Sequence, residues 1–348
     1  MKFMRPPYPY PNRLVRSPAP RILRALASAL ASALTGTLTV TLTGTLTAGA
    51  LLLLATGGAA RAEPVLTLLV GQQLDGSRRF GGELARLWKS RNRPTAERLA
   101  VRTVPGAEAR LRALSRGRGH FAIVSADEAL RALPAYPRVR AIGALWPVYL
   151  HALTRGNSVQ ALRLPLTAPV WTAENAGFAY DSLWEWSADL PAVREGLRVF
   201  PDGEIPRMLE RLDSEVLLFT APAPLAEIAR ALEADPRLRL LHYDTALLEE
   251  FRVAYPWLQI AVLPLGIYPK MRASLEAPAR HLMMVGGAEL SEASIRKMLD
   301  SVYGSKNALS RYDPLFGQTD PAVNALFAPL VPYHPVSIEA LGIAEPHR

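Results

Sequence analysis

The chain has 348 residues, 40 of them Lys or Arg and 31 Asp or Glu, with a formal net charge of +9 and a pI near 10.0. Such a charge suits a nucleic-acid-binding protein, but seven of the basic residues and none of the acidic ones lie in residues 1–62. The rest of the chain is close to neutral, so no nucleic-acid partner is predicted. The absence of cysteine excludes disulfides, a thiol nucleophile and Cys-ligated metals.

Residues 1–62 have the layout of an export signal. A basic, proline-rich segment precedes residues 25–60, which carry no charge, and Ala60-Arg61-Ala62 fits the small-x-small rule for signal cleavage. The uncharged run is also long enough to cross a bilayer as a helix. We therefore expect an exported protein in which residues 1–62 are a signal peptide or an N-terminal membrane anchor, the anchor being residues 25–60.

Strands and helices alternate in the next part of the chain. Val65–Val70 is an apolar run typical of a buried parallel strand, and the helix that follows has Phe80, Leu84 and Trp88 at helical spacing. The predicted elements here are strands at 65–70, 99–103 and 121–124 and helices at 79–91 and 107–117. Their β-α-β-α-β order predicts a doubly wound α/β domain.

The alternation continues to residue 303. The predicted strands are 139–145, 148–153, 170–172, 216–220, 238–241, 260–263 and 281–285, and the predicted helices are 176–186, 224–234, 245–255 and 291–303. Ser291 is the expected N-cap of the last of these helices. Proline-rich breaks at Leu164–Pro169 and Leu263–Gly266 are candidate interdomain crossings. They predict two lobes, one formed by residues 65–165 and 264–348 and the other by 166–263.

Two patterns in the sequence resemble functional motifs but lack the context or spacing that those motifs require. Gly117-Arg118-Gly119-His120-Phe121-Ala122 matches a dinucleotide fingerprint, but it follows a predicted helix and precedes a strand, the reverse of the required order. Gly117 is better explained as a helix-ending glycine. The six histidines lack the close spacing of a metal site. No cofactor, no metal and no catalytic residue are therefore predicted, and the protein is not expected to be an enzyme.

The C-terminal third carries a set of short motifs in a specific order. The motifs are Tyr255-Pro256-Trp257, Leu263-Pro264-Leu265-Gly266-Ile267-Tyr268, His281–Val285, Ala288-Glu289-Leu290, Val302-Tyr303 and Val331-Pro332-Tyr333-His334-Pro335. By these motifs, residues 65–342 resemble the TAXI family of solute receptors, which serve TRAP-type tripartite transporters. The resemblance implies a periplasmic binding protein-like type II fold, with two doubly wound lobes joined by a hinge.

The loops that would face a ligand depart from the family pattern. The second loop of the family usually reads T-x-G-S-x-x-N, whereas here Ala107 stands at the Ser position and Arg110 at the Asn position. The third loop, usually Q-x-D, is Ser125-Ala126-Asp127. These changes indicate either a different ligand or a loss of ligand binding.

Ligands of open α/β sheets bind beyond the carboxyl ends of the strands, near helix N-termini that favour anions. Arg78 or Arg110 could form a bidentate pair with a carboxylate; the alternative is that each is a solvated surface residue. The candidate ligand-binding residues of lobe one are Gln72, Gln73, Ser77, Arg78, Phe80, Gly106, Arg110 and Asp127. Those of lobe two are Trp171, Thr172, Glu174, Asn175, Thr220 and Pro222.

The resemblance and the loop positions together predict a periplasmic solute-binding receptor. Its expected ligand is a small organic anion or amino acid, such as a dicarboxylate or glutamate, and its expected partners are the membrane permease subunits of a tripartite transporter. An alternative hypothesis is a membrane-anchored sensor or accessory interaction protein that uses the same fold without transport.

Overall fold

The computed structural model describes residues 65–71, 75–91, 97–164, 168–186, 194–213 and 215–344. The predicted leader, residues 1–62, and the candidate ligand residues Gln72 and Gln73 lie outside this part of the chain. Residues Ala62–Arg348 belong to one compact unit.

Twelve strands run through the described residues. They are β1 Val65–Val70, β2 Arg98–Thr103, β3 Phe121–Ser125, β4 Val139–Arg155, β5 Ala161–Leu162, β6 Val170–Ala173, β7 Leu197–Phe200, β8 Val216–Ala221, β9 Leu238–Leu240, β10 His242–Tyr243, β11 Gln259–Leu263 and β12 Leu275–Gly287. Ten of them form one mixed sheet in the order β2-β1-β3-β12-β4-β8-β6-β7, with β11 paired to β12 and β9 paired to β4. The predicted α/β class is confirmed by this sheet and the helices that cover it.

The α-helices in the same residues number eleven. They are α1 Ser77–Arg91, α2 Ala107–Ser115, α3 Ala126–Ala132, α4 Gly177–Trp186, α5 Ile205–Arg211, α6 Ala226–Ala234, α7 Thr245–Ala254, α8 Glu292–Val302, α9 Lys306–Ser310, α10 Asn324–Phe327 and α11 Pro335–Leu341. Short 3₁₀ turns lie at Leu133–Ala135, Glu174–Ala176, Asp202–Glu204, Pro314–Gln318 and Pro321–Val323.

Two local predictions about helix ends are confirmed. Ser291 is the N-cap of α8, because its hydroxyl accepts a hydrogen bond from the Ser294 backbone N–H at 3.2 Å. Gly117 has φ 67° and donates to the Leu114 carbonyl, while Arg118 donates to the Ala113 carbonyl. Gly117 therefore ends α2 in the left-handed conformation that favours glycine.

The strands β4 and β12 are long and antiparallel, and we call them the central strands. The sequence predicted two shorter strands, 139–145 and 148–153, in place of β4, which continues through Pro147. Pro147 lies opposite His281, and the register of the pair shifts between His281 and Met283. A proline within a strand is tolerated at such an irregularity, because a regular ladder would require its missing N–H.

Buried hydrophobic residues of the described chain separate into two regions along the central strands. One region, which we call the first core, consists of two hydrophobic clusters that draw on residues 66–148 and 282–343. The other, the second core, draws on residues 149–279. The change occurs between Val148 and Tyr149 on β4 and between Ala279 and Leu282 on β12. The predicted lobe boundaries at 165/166 and 263/264 stay a prediction.

Candidate functional site

The carboxyl ends of strands from both cores meet at the middle of the central strands. On one side β3 ends at Ser125, which lies opposite Leu282 of β12. On the other side β8 ends at Ala221, opposite Tyr149 of β4. Arg280 of β12 pairs with Val148 of β4 between these two points. The loops that follow the strand ends therefore form two walls with Arg280 between them, the region in which open α/β sheets bind ligands.

Hydrogen bonds join the described residues on either side of the loop that follows β1. The Gly71 N–H donates to Ser77 Oγ at 3.2 Å, and the Ser77 N–H donates to Asp75 Oδ1 at 2.9 Å. Trp146 of β4 donates its indole N–H to the Asp75 carbonyl at 3.0 Å. Gly76 has φ 79°, and a Cβ there would lie 2.9 Å from the Leu315 side chain, so this turn requires glycine.

Arg110 is buried behind this loop. Only 2% of the residue is exposed, and its Nη1 donates to the Val104 carbonyl at 3.0 Å. A Cβ added at Gly71 would lie 3.2 Å from the same nitrogen. Burial lowers the pKa of Arg110, while the negative charges of Glu128 and Asp75 act in the opposite direction. Arg110 is therefore a buried residue beside Gly71 and is not a solvated surface arginine.

Asp127, at the start of α3, is a buried carboxylate with two cationic neighbours. Its Oδ2 accepts a hydrogen bond from Arg131 at 2.9 Å, and its Oδ1 lies 3.6 Å from Arg280 Nη1. Burial is the largest single influence and raises the pKa of Asp127, but the charges of Arg280 and Arg131 and the polar side chains of Ser125 and Arg131 together outweigh it, so the pKa of the carboxyl is lowered. Asp75, Ser77, Arg110 and Asp127 together form what we call the first wall.

The second wall consists of Asn175, Asp202 and Thr220, and hydrogen bonds connect all three. The Asn175 side chain donates to the Thr220 carbonyl at 2.9 Å and accepts from the Thr220 N–H at 2.9 Å. The Asn175 N–H donates to Asp202 Oδ1 at 2.8 Å. Burial raises the pKa of Asp202, and both this hydrogen bond and the charge of Arg280 oppose the rise. These hydrogen bonds hold together three parts of the chain, namely the turn after β6, the turn after β7 and the end of β8.

Arg280 connects the two walls. Its Nη2 donates to Thr220 Oγ1 of the second wall at 3.1 Å, while Nη1 faces Asp127 of the first wall. The net pKa of Asp75 is raised, because burial is the largest influence on it. The positive charge of Arg280 acts in the opposite direction and reduces this rise. One guanidinium thus compensates three carboxylates that come from both sides of the site.

A cavity of about 620 Å³ adjoins the loop after β1. Residues from the start of α1 and from the start of α6 line it, and exposed Arg78 is among them. The full lining is Gly76, Arg78, Arg79, Pro224, Leu225, Ala226, Glu227, Tyr312, Asp313 and Pro314.

The structure brings five of the predicted ligand residues to the two walls and places the other described ones elsewhere. The five are Ser77, Arg110, Asp127, Asn175 and Thr220. Phe80 is fully buried in the first core, with its ring 4.8 Å from Trp146 and 5.2 Å from Phe316. Trp171 lines a separate cavity of about 260 Å³ beside α5.

The remaining predicted residues take no part in the hydrogen bonds between the walls that the described residues make. Gly106, the N-cap of α2, and Glu174 are exposed, whereas Thr172 and Pro222 are buried.

Two wall residues, Asp75 and Asp202, and the connecting Arg280 were absent from the sequence prediction. Asp75 lay in the predicted loop after β1, but only its polar neighbours were selected. Asp202 follows β7, a strand that the sequence pattern did not reveal. Arg280 stands one residue before the predicted strand 281–285, whereas β12 begins at Leu275 and includes it. A single arginine inside a long buried strand was the signal that could have identified it.

No helix in the part of the chain that the structure describes combines the length and apolar character needed to span a membrane. No group of three or more His, Asp or Glu side chains there is arranged to hold a metal ion.

Comparison with known proteins gives distant structural likenesses alone. No family model matches the sequence, and no curated protein matches it significantly. Among solved structures, the phosphate transport receptor of Vibrio cholerae is similar over 72% of this chain and 98% of its own, with 13% identity and a TM-score of 0.40. The zinc-bound ligand-binding component of an import system of Staphylococcus aureus is similar over 80% of this chain and 89% of its own, with 11% identity and a TM-score of 0.43.

A third likeness has the same character. The alkanesulfonate-binding protein of Xanthomonas axonopodis pv. citri, bound to MOPS, is similar over 81% of this chain and 84% of its own, with 12% identity and a TM-score of 0.39. Likeness of this degree identifies neither a ligand nor a partner for the chain.

Proposed function

We propose that this chain is a periplasmic solute-binding receptor. It holds a small organic anion or amino acid between the first and second walls and delivers it to the permease subunits of a TRAP-type tripartite transporter. Delivery to such a permease follows from the sequence motifs that resemble the TAXI family. No covalent chemistry is required of any residue.

The observation that carries this proposal is the position of Arg280. Its guanidinium stands between strand ends from two separate cores, where it faces Asp127 on one side and Thr220 on the other. A cation placed at the junction of two walls can bind an anionic group and hold both walls to it at once. Joining of two domains around a ligand is the motion by which two-lobed receptors signal occupancy.

Binding can be tested by measuring the melting temperature of the full chain with a panel of organic acids and amino acids. A compound at 100-fold its Kd should add about 2.7 kcal/mol to the free energy of unfolding. Arg280→Gln should abolish this response, whereas Arg116→Gln, which alters an exposed arginine beyond α2, should retain it. A flat response of the unaltered chain to every compound contradicts the receptor function and favours an accessory protein that binds no solute.

A further inference from the structure

The near-neutral charge of the chain beyond residue 62 conceals an uneven distribution. Residues 65–148, which contribute to the first core, contain 15 Lys or Arg and 6 Asp or Glu. Residues 280–344, the remainder of that core, contain 5 and 6, whereas residues 149–279, which supply the second core, contain 12 and 17. The two cores therefore carry opposite net charge. Such a distribution orients a protein with its positive part towards a negatively charged surface.

Four of the arginines in residues 65–148 lie along the edge strand β2 and in the turn that precedes β3. Arg98 is the first residue of β2 and pairs with Val65, the first residue of β1. Arg116 and Arg118 follow α2, and Nη1 of Arg102 lies 3.5 Å from the Arg118 carbonyl oxygen. Since β1, β2 and β3 are parallel, their amino ends meet at one edge of the sheet. We call Arg98, Arg102, Arg116 and Arg118 at this edge the basic edge.

The charges of the basic edge are not neutralised within the described part of the chain. All four residues are exposed, and none of them forms an ion pair with a described Asp or Glu. Nearby arginines are different, because Arg112 pairs with Glu108 at 2.7 Å and Arg138 pairs with Glu289 at 3.5 Å. The basic edge therefore offers four cations to an anionic partner outside the molecule.

The chain that precedes β1 joins the fold at the same edge. The uncharged run of residues 25–60 ends five residues before Val65, and five residues span at most about 18 Å. A bilayer that holds this run as the predicted anchor would therefore lie within about 18 Å of the strand end beside Arg98. This short reach favours a lipid surface over a partner protein as the occupant of the basic edge.

We propose that the basic edge binds the surface of an anionic membrane through the phosphate groups of its lipids. Guanidinium groups bind phosphate through paired N–H donors, and each basic side chain close to such a surface adds to the attraction. The walls of the candidate site follow the opposite, carboxyl ends of the strands, where β1 ends at Val70 and β3 at Ser125. Membrane binding therefore leaves the walls accessible, and it is a role additional to solute binding.

The test is co-sedimentation of the full chain with vesicles made of equal parts of phosphatidylglycerol and phosphatidylcholine. The variant that combines Arg98→Gln, Arg102→Gln, Arg116→Gln and Arg118→Gln should have a partition coefficient at least about tenfold lower than that of the unaltered chain. Residues 1–62 are identical in the two proteins, so their basic residues do not account for the difference. On vesicles of phosphatidylcholine alone the two proteins should bind equally. High salt should also remove the difference, because the Debye length falls to about 3 Å at 1 M.

The matched control removes the same number of charges from the second core. It combines Arg163→Gln, Arg211→Gln, Arg230→Gln and Arg272→Gln, all at exposed positions, and should bind the anionic vesicles as the unaltered chain does. A further variant with the four arginines of the basic edge replaced by Lys keeps the charge and should keep the binding. Circular dichroism of each variant checks that the fold is retained.

Two results would overturn the proposal. One is an equal partition coefficient for the basic-edge Gln variant and the control, or no binding of the unaltered chain. The four arginines would then serve an acidic protein surface or protect the edge strand β2 from pairing with other chains. The other is loss of binding in a folded Lys variant, because attraction between charges does not distinguish the two cations. Neither result bears on solute binding, which the melting-temperature panel measures separately.

Discussion

The two walls of the candidate site are built by different physical means. Buried charges dominate the first wall, where Arg110 and Asp127 are 2% and 3% exposed and each has an oppositely charged neighbour. The second wall depends on the Asn175 amide, which forms a pair of hydrogen bonds with the Thr220 backbone. Only one carboxylate, Asp202, belongs to it.

This difference teaches which changes each wall can tolerate. A wall of compensated charges is sensitive to the removal of any one charge, because the partner is left uncompensated in a buried place. A wall held by hydrogen bonds between neutral groups tolerates only side chains that keep both the donor and the acceptor in the same positions. Any other side chain leaves a backbone group without its partner. Arg280 takes part in both kinds of interaction, since it donates a hydrogen bond to Thr220 and its charge compensates Asp127.

The largest effect is expected from Arg280→Met, which removes the shared cation from both walls at once. It leaves the buried Asp127 without one of its cations and should lower the free energy of unfolding by about 3 kcal/mol. Urea unfolding followed by circular dichroism measures this. The control Arg116→Met should change stability by less than about 0.5 kcal/mol. Equal urea midpoints for Arg280→Met and the unaltered chain would show that the walls do not depend on this charge.

A smaller effect is expected from Asn175→Ala, which removes the paired hydrogen bonds of the second wall. The Thr220 N–H and carbonyl both lose their partner, and the free energy of unfolding should fall by about 2 kcal/mol. Asn175→Asp keeps the acceptor and loses the donor. Its free energy of unfolding should therefore lie between that of Asn175→Ala and that of the unaltered chain. Asn157→Ala, at an exposed position, serves as the control in the same urea measurement. A loss for Asn175→Ala no larger than that of Asn157→Ala would contradict the proposed basis of this wall.

The smallest effects concern pH and separate two carboxylates of the first wall. The pKa of Asp127 is lowered, so its stabilising contribution is complete above the ordinary value of 3.8 and is lost as the pH falls through the lower folded value. The pKa of Asp75 is raised, so its ionised form is unfavourable in the fold, and protonation relieves this as the pH falls towards 3.8.

The corresponding variants should change the pH dependence in opposite ways. Below pH 3.8, the free energy of unfolding should fall less steeply in Asp127→Asn than in the unaltered chain. Above pH 3.8, in the range where Asp75 takes up its proton, Asp75→Asn should lose the relief, so its stability should fall more steeply with decreasing pH. Urea titrations across this range measure both slopes. Identical slopes for the two variants would remove the distinction between the carboxylates.

Strands were predicted well where nearly all of their residues are apolar. Val65–Val70 and Val216–Thr220 each contain one threonine among apolar residues, most of which are buried, and β1 and β8 occupy these positions. The central strands were predicted in part, because Pro147 and Pro278 interrupt the pattern that a regular strand would show. Tertiary pairing with neighbours on both sides overrides that local signal.

The candidate site was harder to predict because polar residues near strand ends look alike in a sequence. Phe80 was assigned to the site for its place after a glycine loop, yet it shares helical spacing with Leu84 and Trp88 and packs with them in the first core. That spacing was the better guide. Arg280 could not be placed by position in a loop, since its role comes from the long-range pairing of β12 with β4.

The central strands have a consequence for how the chain unfolds. Each of them contributes buried side chains to both cores, with Val148 in one and Tyr149 in the other on β4. Unfolding of either core would disrupt the central strands on which the other core also depends. Thermal melting should therefore be a single cooperative transition, in which the calorimetric and van't Hoff enthalpies of unfolding agree. Two cores that share their strands are in this sense one folding unit.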